Sequence, residues 1–172
     1  YLIPLRLVGS EMCIRDRHNS HIVAYVDMSG AAYHIFENVR RRTAGLSFSY
    51  IDETNPKTIL NAFSEDTGLI CIESIKAPYL QMPDLEAVAS IAKEKAVISI
   101  CDNTLATPYL LQPLKFDFDI VVSDGQSLSA GFNIPEFGYA AVGKDREFVS
   151  EKLKFLKNWL STDFLCFFCG RF

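Results

Sequence analysis

A single carboxylate stands at the end of a strongly apolar stretch of this sequence. Asp102 closes the run VISICD (97–102) and is followed directly by NTLATP. A carboxylate that ends a buried strand needs a partner, because leaving a charged group unpaired away from water is costly. Two partners suit it: the backbone of a local turn, or a cofactor ring nitrogen that must stay protonated. The residues alone leave both interpretations open.

A second candidate region is the polar segment that follows the apolar run DIVV (119–122). In α/β proteins the loop after a buried strand commonly carries the chemistry. The tip of this loop is Gln126, whose amide neither forms an imine nor acts as a base near neutral pH. Together with Ser29 of an earlier loop, Gln126, Ser127 and Ser129 could line a small uncharged binding site for an unidentified ligand. The serines could equally serve as turn residues.

From residue 20 onwards, apolar runs typical of strands alternate with helical patterns. Strands are predicted at 21–26, 46–51, 68–74, 97–102, 119–124 and 138–143, and helices at 30–45, 55–63, 82–96 and 145–160. Gly45 is expected to end the first helix and Asn55 to cap the second. Strand–helix alternation indicates an α/β fold with three layers (α/β/α) around a mostly parallel sheet. The last helix is predicted to pack Phe148, Leu153, Leu156 and Leu160 into the core.

In such a sheet, ligands bind beyond the carboxyl ends of the strands. The candidate loops are therefore 27–31, 73–79, 102–108 and 123–133. None of them carries the GxGxxG, GxxxxGK[ST], HExxH or GxSxG pattern, so those nucleotide, zinc-protease and hydrolase sites are not expected. A lone CxxC at Cys166 and Cys169 lacks a second pair of ligands, and no metal site is expected.

Composition narrows the classes of partner. The chain has 172 residues, of which 49% are hydrophobic and 22% charged, which is typical of a globular domain. A net charge of −4 argues against nucleic-acid binding, and Arg40–Arg42 is interpreted as a solvated helix end. No apolar stretch is long enough to span a membrane, so no membrane partner is expected. Cys71 and Cys101 lie in apolar runs, which predicts reduced thiols and a cytoplasmic location.

Several collinear segments resemble one known family. The segment DNTLATPYLLQPL resembles the DNT-aromatic-ATP segment of the Cys/Met-metabolism (transsulfuration) family of enzymes that depend on pyridoxal phosphate (PLP), such as cystathionine γ-synthase, O-acetylhomoserine sulfhydrylase and methionine γ-lyase. HIVAYVDMSGAAYHIFENV, CIESIKAP and DIVVSDGQSLSAG are similar to further family segments, in register from about Asn19 to Trp159. The resemblance implies the central part of the large domain of a type I (aspartate aminotransferase-like) PLP fold, and oligomers acting on small amino-acid substrates.

The resemblance also implies which residues would face the cofactor. Asp102 matches the aspartate that pairs with the ring nitrogen, and Ser123 matches one of two phosphate-binding hydroxyls. Gly125 replaces the second hydroxyl, Ser29 the stacking tyrosine of YGGT, and Ala77 the asparagine of SPTNP. Gln126 stands at the position of the Schiff-base lysine in S-A-T-K-Y and is expected to be non-functional there.

The resemblance therefore predicts a diverged family member without its own transsulfuration catalysis, and with doubtful PLP binding. One alternative is a non-catalytic subunit that assembles with itself or with an active relative. Another is an active PLP enzyme that uses a different lysine: Lys76 is the first choice, interpreted otherwise as a solvated loop lysine, while Lys115 precedes its strand and fits less well.

Three segments are expected along the chain. Residues 1–17 resemble translated sequencing-adapter sequence and are predicted to be non-native. Residues 18–160 form the central part of the PLP-transferase domain. Residues 161–172 are a tail without a clear prediction.

Overall fold

A computed structural model of the chain describes residues 20–25, 33–51, 56–124, 138–144, 146–160 and 165–168. These residues form an α/β unit in which strands and helices alternate. The strands are β1 (His21–Tyr25), β2 (Ser47–Ile51), β3 (Thr67–Glu73), β4 (Ile98–Asp102), β5 (Ile120–Asp124), β6 (Gly138–Val142) and β7 (Leu165–Phe168). Strand β7 falls within the tail, for which no element was predicted, and two short helices near residue 110 were not predicted either.

The helices follow the strands closely. A π-helix, Ile35–Arg40, runs into α1 (Arg41–Ala44); the others are α2 (Pro56–Asn61), α3 (Leu85–Glu94), α4 (Thr107–Leu110), a 3-10 turn (Pro113–Phe116) and α5 (Glu147–Leu160). Gly45 has φ 64° and ends the first helical segment, as predicted, because glycine adopts this left-handed conformation without strain. Asp84 caps α3 by accepting a 3.0 Å hydrogen bond from the Ala87 N–H. The predicted cap Asn55 lies outside the described residues.

The strands form one seven-stranded sheet in the order β2-β1-β3-β4-β5-β6-β7. All neighbouring pairs are parallel except β5 and β6, which are antiparallel. The predicted fold class, α/β with a mostly parallel sheet, is confirmed. Parallel strands buried on both faces require apolar residues at nearly every position, and β1, β3, β4 and β5 meet this requirement, with fully buried side chains that include Ile22, Val23, Ile70, Ile72, Ile100 and Ile120.

One buried acid fixes the amino ends of two central strands. Asp119 is 5% exposed, and its Oδ2 accepts hydrogen bonds from the backbone N–H and the hydroxyl of Ser99, at 2.8 and 3.0 Å. Its other carboxylate oxygen pairs with the guanidinium of Arg146, just before α5. Because each donor is buried or partly buried, these bonds hold β4, β5 and the start of α5 in one arrangement.

In helix α5, the prediction of which side chains pack into the core was partly wrong. Leu153 is buried as predicted, but Phe148 is 69% exposed and lies beneath the Lys152 ammonium, 4.5 Å from the ring centroid. The buried stripe instead passes through Ser150 and Leu153, with Val149 partly buried, because Phe148 lies about 100° around the helix from Val149. The side chains of Leu156 and Leu160 lie outside the described part.

Two smaller expectations are confirmed. Arg41 and Arg42 are exposed in the last helical turn, and Arg41 pairs with Glu37 at 2.8 Å. Cys71 and Cys101 are free, buried thiols, and burial raises the pKa of both well above the ordinary value. Across the described ranges, no helix has the length and hydropathy needed to cross a membrane.

A buried histidine joins β1, β2 and β3 on the side of the sheet away from the carboxyl ends of the strands. His21 Nδ1 lies 2.7 Å from the Thr67 hydroxyl, and Nε2 lies 2.8 Å from the Ser49 hydroxyl. Burial lowers the pKa of His21, although the negative charge of Asp66 opposes this. The neutral ring is therefore the form that suits the folded protein.

The lowered pKa of His21 predicts a pH dependence of stability. Below the unfolded-state pKa of about 6.5 the unfolded chain binds a proton that the folded chain resists. The free energy of unfolding should therefore have its full value above the unfolded-state pKa and fall as the pH drops below about 6.5. Denaturant unfolding of the parent and of His21→Gln, measured across this range, should show a smaller fall for the variant.

The matched control is His34→Gln, since His34 is exposed and bonds only its helical neighbour Asn38 among the bonds described for it. This variant should follow the parent at each pH. Equal pH slopes for the parent and His21→Gln would contradict the role given to His21.

Candidate active site

The parallel strands β3, β4 and β5 end side by side and bring polar residues to the carboxyl-terminal edge of the sheet, which is the line along which these strands end. Glu73, the last residue of β3, is the register partner of Asp102, the last of β4. Asp102 is in turn the register partner of Val122 in β5. The antiparallel β6 starts at this edge and places Tyr139 opposite Ser123. The sequence-predicted residues Asp102 and Ser123 are thus brought to neighbouring strand ends.

Asp102 is held in place by the residue two positions after it. Its Oδ1 accepts hydrogen bonds from the Thr104 N–H at 2.9 Å and from the Thr104 hydroxyl at 2.5 Å. The same hydroxyl lies 3.3 Å from the backbone N–H of Asp124, which donates to it. The local turn cap predicted as one role of Asp102 is therefore present. A carboxylate accepts up to about four hydrogen bonds, so the cap leaves the second predicted role chemically compatible.

Ser123 is less available than the sequence implied. Its side chain is completely buried, and its hydroxyl donates a 3.3 Å hydrogen bond to the carbonyl of Asp124. Tyr139, on the facing strand, is half-buried, and burial raises the pKa of its phenol. The negative charges of Asp124 and Asp102 raise the pKa of this phenol further, so the hydroxyl lies within reach of both carboxylates.

Two buried polar atoms near Asp102 have no hydrogen-bond partner. They are the hydroxyl oxygen of Ser74, which is 0% exposed, and the side-chain oxygen of Asn103, which is 1% exposed. Their backbone N–H groups are bonded: the Ser74 N–H donates to the Asp102 carbonyl at 2.8 Å, and the Asn103 N–H to the Val122 carbonyl at 2.9 Å. Unpaired buried polar atoms are rare in folded proteins, and an unseen ligand or water is the usual explanation.

Lys76 lies in the loop after β3, and the expectation of a solvated lysine is wrong. The residue is 5% exposed. Its backbone N–H donates to the Gln81 carbonyl at 2.8 Å, which closes the loop 76–81 on itself. The sequence missed this burial because loop lysines are usually exposed and because no local pattern records what packs over a loop.

Most of the remaining predicted positions are not among the described residues. Gly125, Gln126, Ser127 and Ser129 lie outside the described residues, as does Ser29. Ala77 is described and is exposed. The rim of this edge also carries exposed apolar side chains that the sequence reading did not single out, namely Tyr79, Leu80, Met82, Leu105, Tyr109 and Leu110.

Comparison with known proteins identifies the family of this fold and site. The model of the Cys/Met metabolism PLP-dependent enzyme family matches residues 14–159. The chain belongs to this family. The cystathionine β-lyase of Coxiella burnetii is 41% identical over 138 residues, which cover 80% of this chain and 35% of that protein. A probable cystathionine γ-synthase of Herpetosiphon aurantiacus is 31% identical, with 80% and 42% covered.

The fold also matches a solved structure. The crystal structure of cystathionine γ-lyase from Lactobacillus plantarum, complexed with L-serine, superimposes with a TM-score of 0.79 at 22% identity, over 92% of this chain and 41% of that one. The chain therefore spans between about a third and about two fifths of the length of these relatives.

The described residues fit the PLP group of this family only in part. Asp102 has the chemistry to pair with a protonated ring nitrogen, and the unpaired oxygens of Ser74 and Asn103 lie on residues beside it in the fold. Against this, Ser123 is buried and bonded within the strand end, and Ala77 carries no polar group. Among the described residues, the site therefore retains the carboxylate that would pair with the ring nitrogen, but no set of groups there would bind the phosphate.

Because the Ser74 hydroxyl has no partner, its removal should not destabilise the protein. We expect Ser74→Ala to leave the free energy of unfolding unchanged or to raise it by about 1 kcal/mol, since an unsatisfied buried hydroxyl is itself unfavourable. Denaturant titration of purified protein measures the difference.

The matched control is Ser99→Ala, which removes an equally buried hydroxyl that bonds Asp119 twice. This variant should lower the free energy of unfolding by about 1–3 kcal/mol. Similar losses in both variants would mean that Ser74 is already satisfied in the protein.

Proposed function

We propose that this chain is the central part of the cofactor domain of a Cys/Met-metabolism protein that lacks its own transsulfuration catalysis. The observation that carries the proposal is the absence of any lysine between Lys115 and Lys144. This interval contains all of β5, residues 125–137 and all of β6. The amine that the family places after the strand corresponding to β5, which bonds the cofactor and moves the substrate proton, has no replacement in this interval.

The proposal does not depend on one alignment register. Assigning the family lysine to Gln126 leaves an amide at that position. Shifting the register by one residue assigns the lysine to Ser127 and the phosphate-binding serine to Asp124 instead of Ser123. Neither register supplies an amine, and the second also places a negative charge where the family binds phosphate, which would repel it.

The substrates of the relatives indicate what the pocket once bound. Proteins named cystathionine β-lyase, γ-lyase and γ-synthase all occur among them. We infer an ancestral substrate of the cystathionine or homoserine-ester class, with the reaction itself left open between elimination and replacement. Two buried free thiols, Cys71 and Cys101, suit a reducing compartment and support a cytoplasmic location.

We also propose that the fold is retained for assembly with itself or with an active relative. The exposed apolar rim of Tyr79, Leu80, Tyr109 and Leu110 supports this, because such clusters on a soluble protein commonly mark contact surfaces. Residues 18–160 would form the shared domain, with residues 1–17 non-native and Leu165–Phe168 supplying an edge strand.

The proposal predicts no cystathionine cleavage. Purified protein supplied with PLP and cystathionine should release thiol no faster than PLP alone, because loss of the covalent lysine removes the base and the cofactor anchor together. Thiol release followed with a colorimetric reagent measures this, with Gln126→Lys and Ser127→Lys as restored-amine variants.

A protein preparation that cleaves cystathionine well above the PLP background, and loses this activity on dialysis against a carbonyl scavenger, would overturn the proposal. A gain of turnover in only one restored variant would identify the register of the lysine position.

A further inference from the structure

Strand β2 lies at one end of the described sheet. Its inner neighbour is β1, and no other strand of the described part pairs with its outer side. The Ser47 N–H donates to the Ser20 carbonyl, just before β1, at 3.1 Å. Because alternate residues of a parallel strand bond to the same neighbour, the backbone groups of Phe48 and Tyr50 point outwards. Among the backbone hydrogen bonds described for the chain, none engages these outward groups.

Strand β2 lacks the features that usually protect an edge strand. Its sequence, SFSYI, contains no charged residue and no proline. Its register with β1 runs from Ser47 to Ile51 without the bulge that would twist it away from a neighbour. Natural proteins commonly use charges, prolines or bulges to keep an edge strand from pairing with another chain. The outer side of β2 is therefore able to accept a further strand.

An aromatic row on one face of β2 reaches the same outer side. Phe48 stacks on Phe36, with ring centroids 5.0 Å apart, and its ring lies 6.1 Å from that of Tyr50. Tyr50 in turn contacts Tyr33 at 5.3 Å, and Tyr33 is still 44% exposed. Aromatic side chains paired across neighbouring strands stabilise a sheet, so an added strand with aromatic residues at matching positions would extend this row.

The charges around β2 indicate which strand would fit. The last turn of α1, which precedes β2, carries the exposed side chains of Arg41 and Arg42. The two residues that follow the strand in the sequence, Asp52 and Glu53, are acidic. When two copies of such a segment pair antiparallel, the basic end of each meets the acidic end of the other, whereas parallel pairing brings like charges together. The segment is therefore complementary to itself in the antiparallel orientation.

We propose that β2 pairs antiparallel with β2 of a second copy of this chain, about a twofold axis at Ser49. In this register the outward backbone groups of Phe48 meet those of Tyr50 in the second copy, and each such pair exchanges two hydrogen bonds. The same pairs place aromatic rings side by side and continue the aromatic row. Because each copy offers the same surface, the contact closes as a dimer.

The inference goes beyond the proposed function. It names a surface separate from the apolar rim of Tyr79, Leu80, Tyr109 and Leu110, and it requires no loss of catalysis. Two short strands form a small contact, and small contacts associate weakly, so the dimer should be reversible. Sedimentation velocity of the purified full chain over a concentration series should show a shift from monomer to dimer.

Ser47→Glu tests the contact with little risk to the fold, because Ser47 is exposed and no hydrogen bond is described for its side chain. The added carboxylate would lie opposite Ile51 of the second copy, beside the acidic residues that follow it. We expect the dissociation constant of the dimer to rise about tenfold, since the repulsion occurs twice in each dimer.

The matched control is Ser90→Glu, which makes the same change of charge at an exposed position of α3. This variant should dimerise like the parent. Thermal unfolding of both variants establishes that each is folded before their dissociation constants are compared.

Cysteine cross-linking tests the register, in a background in which Cys13, Cys166 and Cys169 are replaced by serine. Residues at the twofold axis form a pair without backbone hydrogen bonds, with Cα atoms about 4.5 Å apart, which a disulfide can bridge. Ser49→Cys should therefore link two copies under a mild oxidant. Ser47→Cys should not, because antiparallel pairing separates the two copies of this residue by about 14 Å along the strand.

The proposal is overturned if the parent chain stays monomeric over the whole concentration series, or if Ser47→Glu leaves a dimer intact. Failure of Ser49→Cys to link, or equal linking by Ser47→Cys, overturns the antiparallel register. A dimer weakened only by Tyr109→Ser would use the apolar rim instead, since Tyr109 is 92% exposed there. None of these outcomes alters the expected absence of cystathionine cleavage, so the proposed function and this inference can fail separately.

Discussion

The parallel pairing of β3, β4 and β5 is the constraint on which the candidate site depends. Pairing Glu73 with Asp102, and Asp102 with Val122, brings three strand ends to one edge. A shift of one residue in any of these strands would exchange its two faces and move a carboxylate into the apolar interior. The register is in turn held from the far end by Asp119, which bonds Ser99 at the start of β4. The scaffold thus positions Asp102 whether or not a ligand is present.

The central fold could be predicted because its local patterns agree with its tertiary structure. Runs such as GLICIES and VISICD are apolar at almost every position, and only burial on both faces stabilises such strands in water. Gly45 ends its helix for a purely local reason, its left-handed backbone conformation. Edge elements were harder: β7 is short, and pairing with β6 rather than an internal pattern defines it. The Phe148 error has the same origin, since choosing between adjacent apolar stripes requires knowing which one faces the sheet.

The candidate site could be predicted only where chemistry is tied to a strand end. Asp102 was identifiable because a carboxylate at the end of a largely apolar strand has few structural explanations, and its Thr104 cap is encoded two residues away. The burial of Lys76 and the unpaired oxygens of Ser74 and Asn103 had no comparable signal. These features depend on which residues of the neighbouring strands and loops pack against them. The spacing of residues within one loop does not reveal those tertiary neighbours. The resemblance to a family supplied roles for these positions but not their environments.

A site that had lost all function would be expected to lose its unfavourable features as well. Replacing a buried, unpaired polar group by an apolar group of similar shape can be neutral or stabilising, so folding alone does not preserve a buried unpaired hydroxyl. This chain has no amine in the loop after β5, yet it keeps a capped carboxylate, two unsatisfied oxygens and a lysine enclosed at the same edge. The polar groups at the strand ends depend on the pairing of β3, β4 and β5, and the absence of a lysine between Lys115 and Lys144 does not alter that pairing. The loss of an amine after β5 and the retention of polar groups at the strand ends are therefore separable changes in this fold.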